Sequence, residues 1–122
     1  MRRVPLVALS AAGRFAVGGG ALVAPRVVAR AFDIDQGVDA PSVYVGRLFG
    51  VRAVTMAALV LLTAGEDRRR QLCAGVAVDL VDAAAAVAAG RAGQLNRRAA
   101  TLACAAALGE VALGVGALRS RR

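Results

Sequence analysis

The chain is 122 residues long, the size of one domain. Of it, 58% is apolar before the 14 glycines are counted, well above the about 45–50%, glycine included, of a soluble domain. Its formal charge of +8 comes from 16 basic residues, all arginine, but these stand mostly in short clusters between apolar stretches. With 3% aromatics and no Trp there is neither a single basic face nor a stacking platform for bases, which excludes nucleic acid as a partner.

The first apolar stretch covers about residues 5–24 and contains Arg14. At about 1.5 Å per residue its length crosses a hydrocarbon layer of about 30 Å. Arg2-Arg3 ahead of an apolar run also fits a cleaved signal peptide. Arg14 falls inside what would be the uncharged core of that peptide, and Leu22 stands where a small residue is wanted, so a retained span is the better reading. Gly18-Gly19-Gly20 weakens the helix locally and is a place for a bend or a close neighbour.

Residues of about 25–35 read as a short amphipathic helix at the membrane surface, with Arg26, Arg30 and Asp33 on one face and Val27, Val28, Ala31 and Phe32 on another. Gln36 to Ala40 is a polar turn in which Asp39 caps a helix with Pro41 in its first turn. The second span covers about 42–65, with Tyr44 near its boundary. A tight charged loop, Glu66 to Gln71, leads to a third span of about 72–90. A polar connector, Arg91 to Arg98, leads to a fourth of about 99–118, and Arg119, Arg121 and Arg122 form a basic tail.

This predicts an all-α integral membrane protein. It is an antiparallel four-helix bundle with a short interfacial helix after the first span, one membrane domain over residues 1–122. Eight arginines (2, 3, 68–70, 119, 121 and 122) fall on the side of the termini and five (26, 30, 91, 97 and 98) on the other. The positive-inside rule therefore puts both termini in the cytoplasm of a cell membrane.

The informative residues are the charges inside the spans: Arg14, Arg47, Arg52, Asp79, Asp82 and Glu110. A lone charge at the centre of a span costs about 2.5–3.5 kcal/mol, so these groups are expected to face inward and pair. Asp79 and Asp82 are three apart and share a helical face. Arg14 and Arg52 are expected to neutralise them, with Glu110 nearby and its partner left open. Such a network can be structural, fixing register, or it can hold a ligand or a proton. Gly46 and Gly50 form GxxxG, and Ala105/Gly109 and Ala112/Gly116 repeat small-xxx-small along span four.

Other chemistry finds little footing. The chain has no His, and Cys73 and Cys104 fall toward opposite faces of the bilayer, so no metal site, cofactor or disulfide is expected. Nucleophilic catalysis lacks a His base, and the absence of Lys removes a Walker-type phosphate loop. Asp79-x-x-Asp82 is similar to the opening of the CDP-alcohol phosphotransferase motif. Ala83 stands where that family has Gly, and Ala84 to Ala89 brings no second acid pair. No catalytic residue is assigned.

Gly46-Arg47-Leu48-Phe49-Gly50-Val51-Arg52, Val78-Asp79-Leu80-Val81-Asp82-Ala83, Arg14 and Pro25 together resemble a group of small bacterial four-helix membrane proteins near the DoxX-like family. The resemblance implies the four-helix fold and a pairing of Arg52 with the span-three acids, and no substrate. Two functions follow as expectations. The first is a structural or accessory membrane protein, with the lipid bilayer, a homo-oligomer or another membrane protein as partners. The second is a small proton-coupled transporter using Glu110 or Asp79/Asp82. The small multidrug transporters have a comparable size, but place a Glu among aromatics in span one, where this chain has Arg14. A membrane enzyme ranks third.

Overall fold

A computed structural model describes residues 3–34 and 39–120, the side chains at 3, 4 and 40 excepted. The part of the polar turn at 35–38, Arg2, and Arg121-Arg122 lie outside the described residues. The chain forms five helices: α1 (Arg3–Val23), α2 (Pro25–Ala31), α3 (Ala40–Leu62), α4 (Gly65–Arg91) and α5 (Arg97–Arg119), with no strand among the described residues. Four of them contain stretches long and apolar enough to cross a membrane: Pro5–Val23, Pro41–Leu62, Gly65–Arg91 and Arg97–Arg119. They pack as an antiparallel four-helix bundle. α1 lies between α3 and α5, α4 closes the ring between the same two helices, and α1 and α4 face each other across the diagonal without backbone contact.

The interior is made of small side chains. Its buried apolar residues are mostly alanines (11, 21, 53, 57, 83, 86, 99, 107 and 117), joined by Val7, Val60 and Leu72. Val7, Val60, Leu72 and Ala117, one from each long helix, form an apolar plug toward the end where the chain's termini lie. The large aliphatics point outward: Val23 is 86% exposed and Leu62 84%, with Leu48, Val51, Leu80 and Val81 also exposed. Such a distribution inverts that of a water-soluble bundle and suits helices packed against each other and solvated by lipid tails.

Glycine sets the closest helix contact. Gly18 of α1 and Gly50 of α3 cross so tightly that a Cβ on Gly50 would lie 2.5 Å from the Gly18 carbonyl oxygen and 2.9 Å from the Leu22 nitrogen. The second glycine of GxxxG therefore makes the close approach, whereas a Cβ on Gly46 would meet Pro25 at an ordinary 3.7 Å. On α5 three of the four small residues turn outward: Ala105, Gly109 and Ala112 are exposed, nothing lies within 4 Å of a Cβ built on Gly109, and Gly116 alone is half-buried, against Leu6.

Helix ends depart from expectation in three places. Glu66 to Gln71 is not a loop. α4 starts at Gly65 and runs 27 residues, about 40 Å, which exceeds the about 30 Å of a hydrocarbon layer. Glu66 and Asp67 there oppose the positive end of the helix dipole, and Asp67 lies 3.7 Å from Arg70. Arg68 reaches back to donate to the free carbonyls of Val60 (2.9 Å) and Leu61 (3.4 Å) at the end of α3. Second, α2 ends at Ala31 rather than running to 35. Asp33 takes a left-handed conformation (φ 58°), its N–H donates to Arg30 O, and the Ile34 N–H donates to Ala29 O. This is a Schellman stop that removes Asp33 from the helical face assigned to it. Third, the connector after α4 is shorter than Arg91 to Arg98. Gly93 (φ 75°) closes the same motif there, and Asn96 caps α5 by accepting from Ala99 N at 2.8 Å. Asn96 also donates from Nδ2 to the carbonyl and carboxylate oxygens of Asp33, tying the end of α2 to the α4–α5 turn. Asp39 caps α3 as expected, accepting from Ser42 N at 2.9 Å. The Ser42 hydroxyl and N–H hold its carboxyl below the usual range.

The two glycine environments predict opposite outcomes. Gly50→Ala should force α1 and α3 apart and lower stability by about 1–3 kcal/mol, whereas Gly109→Ala should be neutral or stabilise by up to about 1 kcal/mol through helix propensity. Denaturant titration of the purified chain in detergent, followed by circular dichroism, separates the two. Equal losses would contradict the packing described.

Candidate functional site

The site lies half-way along the bundle, where α1, α4 and α5 converge on Arg14. Its guanidinium spans the diagonal and meets the Asp79 carboxylate with two bonds, Nη1 to Oδ1 at 3.2 Å and Nη2 to Oδ2 at 2.5 Å. Both side chains are buried, at 13% and 5% exposure. This fork-on-fork geometry uses the planarity of arginine and adds direction to the charge attraction. Arg14 Nε lies 3.6 Å from Glu110 Oε2, and the same oxygen accepts from the Ser10 hydroxyl at 2.5 Å. One cation thus serves two carboxylates, and a hydroxyl one helical turn away supports the second.

Room for these groups comes from glycine. A Cβ on Gly75, one turn before Asp79, would lie 3.2 Å from Arg14 Nη2, and a Cβ on Gly13 would lie 2.8 Å from Glu110 Oε1. Beside the network a cavity of about 10 Å³ is bordered by Ser10, Arg14, Gln71, Gly75 and Glu110. That volume is close to the smallest that holds one water. No buried side-chain nitrogen or oxygen among the described residues lacks a hydrogen-bond partner.

The structure divides the six charges into three environments. Arg14, Asp79 and Glu110 form the buried centre. Arg52 and Asp82 form a second ion pair, 2.8 Å from Nη2 to Oδ2, at the mouth of the α3–α4 seam. Their side chains are 44% and 33% exposed, and the Arg52 guanidinium sits 5.2 Å from the centroid of the Phe49 ring. Arg47 joins neither group. It is exposed on the opposite flank of α3 and makes no ion pair with the described residues. The physical reason is angular: five residues of α-helix turn Arg47 about 140° from Arg52.

Ser10 was not singled out by the sequence reading. Its signal was available, since it lies four residues before Arg14 on the same helical face and is a hydroxyl in an otherwise apolar stretch. Among the described residues no cluster of His, Cys, Asp and Glu is arranged to hold a metal ion, and Cys73 and Cys104 are both free thiols. No protein-family model, curated protein or solved structure matches the chain.

The diagonal pair predicts strong non-additivity. Arg14→Met leaves Asp79 buried without its counter-charge and should destabilise the bundle by about 3–5 kcal/mol, while the double variant Arg14→Met with Asp79→Leu should recover most of that loss. Denaturant titration of the single and double variants in detergent measures the coupling. A double variant no more stable than Arg14→Met alone would refute the pairing as a source of stability.

Proposed function

We propose that the chain is a multi-pass integral protein of the cell membrane with a structural or accessory role, both termini in the cytoplasm and α2 lying in the interface. The observation that carries this reading is the inverted packing: alanine, glycine and neutralised charge inside, large aliphatics outside. Four helices with apolar stretches of membrane-crossing length agree with it. The orientation rests on the arginine bias between the two sides, with Arg26 and Arg30 on the side of α2. The likeness of residues 46–52 and 78–83 to the DoxX-like neighbourhood supports the same fold and the pairing of Arg52 with a span-three acid.

A structural role fits the centre because no buried side-chain nitrogen or oxygen among the described residues lacks a hydrogen-bond partner. Arg14 is held by Asp79 and Glu110, Glu110 is held by Ser10, and the adjoining cavity has room for one water rather than for a solute. A network in this condition fixes the register of α1, α4 and α5, whose apolar surfaces are too uniform to fix it themselves.

One observation favours the second reading, a small proton-coupled transporter. Glu110 is bound by a neutral hydroxyl at 2.5 Å and by a guanidinium only at 3.6 Å, so it is the most weakly neutralised carboxylate of the centre, and it borders the water-sized cavity. Liposomes carrying the purified chain, an internal pH dye and an imposed pH gradient distinguish the readings. Wild type and Glu110→Gln should give the same proton leak, because Gln still accepts from Ser10 and leaves the assembly intact. A wild-type flux at least ten times the lipid background that disappears in Glu110→Gln would establish the transporter instead.

A further inference from the structure

The Arg52–Asp82 pair poses a problem that the bundle does not solve by itself. Both residues sit near the middle of their helices, at the depth of the hydrocarbon, yet 44% of the Arg52 side chain and 33% of Asp82 remain open. Arg52 has five N–H donors and places only Nη2 on Asp82, and Phe49 covers part of one face of the guanidinium. In water the remaining donors would be hydrated. In lipid tails they have no partner, and a charge so placed is expensive. α3 touches α4 far less than it touches α1, so the mouth of their seam is the least closed of the contacts between adjacent long helices.

What covers this mouth must be apolar around its edge and carry one cation and one anion at its centre, side by side at the same depth. A second copy of the chain meets both conditions. A two-fold axis along the bilayer normal, passing through the seam, turns the partner so that its Arg52–Asp82 pair runs in the opposite sense. Each arginine then faces the other copy's aspartate, and the two pairs close into a ring of alternating charge. The surroundings fit this closure. Leu48 and Leu59 on the same flank of α3 are 51% and 39% exposed, and on α4 Ala74 and Ala85 are exposed and short enough to let helices approach.

We therefore infer that the chain forms a two-fold dimer through the α3–α4 face, in which the Arg52–Asp82 pairs of the two copies neutralise each other. The inference rests on the membrane reading given above and adds the identity of the partner.

Cross-linking in native-like bilayers tests it. In a background with Cys73→Ser and Cys104→Ser, Ala85→Cys lies one turn from Asp82 on the proposed face, and Ala105→Cys lies on the exposed small-residue stripe of α5. Oxidation in nanodiscs, with subunits counted by photobleaching of single particles, should give a disulfide-linked dimer for Ala85→Cys at least ten times more abundant than for Ala105→Cys. Arg52→Asp should reduce the dimer fraction at least ten-fold, and the exchange Arg52→Asp with Asp82→Arg should restore it, which separates lost association from lost folding. Single subunits at every protein-to-lipid ratio, or cross-linking through Ala105→Cys instead, overturns the dimer while leaving the membrane reading intact. A wild-type chain that stays in solution without detergent fails the membrane reading itself.

Discussion

The bond between Arg14 and Asp79 crosses one of the two diagonals of the bundle, between helices whose backbones do not touch. In a bundle whose interior is largely alanine and glycine, apolar packing alone is nearly indifferent to a helix sliding by a turn, because one small side chain replaces another. A two-point contact between guanidinium and carboxylate is not indifferent: a displacement of a few ångströms strands both charges. The rest of the interior depends on that registration. Gly75 must lie under the guanidinium, Gly13 must clear Glu110, and Ser10 must face α5 one turn from Arg14.

The structure thus separates two duties that soluble cores combine. Closeness is supplied by small residues, above all where Gly18 and Gly50 bring the backbones of α1 and α3 together. Alignment is supplied by charge. Several helix ends are finished with side chain and backbone: Arg68 on the carbonyls at the end of α3, Asn96 joining the start of α5 to Asp33, and left-handed residues at 33 and 93. Each serves a backbone group that the end of a helix leaves without an intrahelical partner.

Much of this architecture was legible in the residues. Apolar stretches of about twenty residues between arginine clusters are enough to count the long helices, and opposite charges at equal depth are enough to expect Arg14 and Arg52 to meet the acids of α4. Legibility failed where a single symbol stands for two structures. A run such as Glu66 to Arg70 looks like a loop because it is charged, yet charge says only that the segment leaves the hydrocarbon, not that it leaves the helix. The stop after Ala31 depends on Asp33 adopting a left-handed conformation, which its sequence neighbours do not dictate. Small-xxx-small spacing faces inward on α3 but mostly outward on α5, since in so alanine-rich a chain the pattern carries little direction. Arg47 was counted with Arg52 because both lie inside the second span, whereas helical angle separates them.

The charges inside the bundle are divided by half of the chain. α1 and α3 hold Arg14 and Arg52, while α4 and α5 hold Asp79, Asp82 and Glu110. Both ion pairs therefore join the first half of the chain to the second, and neither can close until α4 and α5 have packed against α1 and α3.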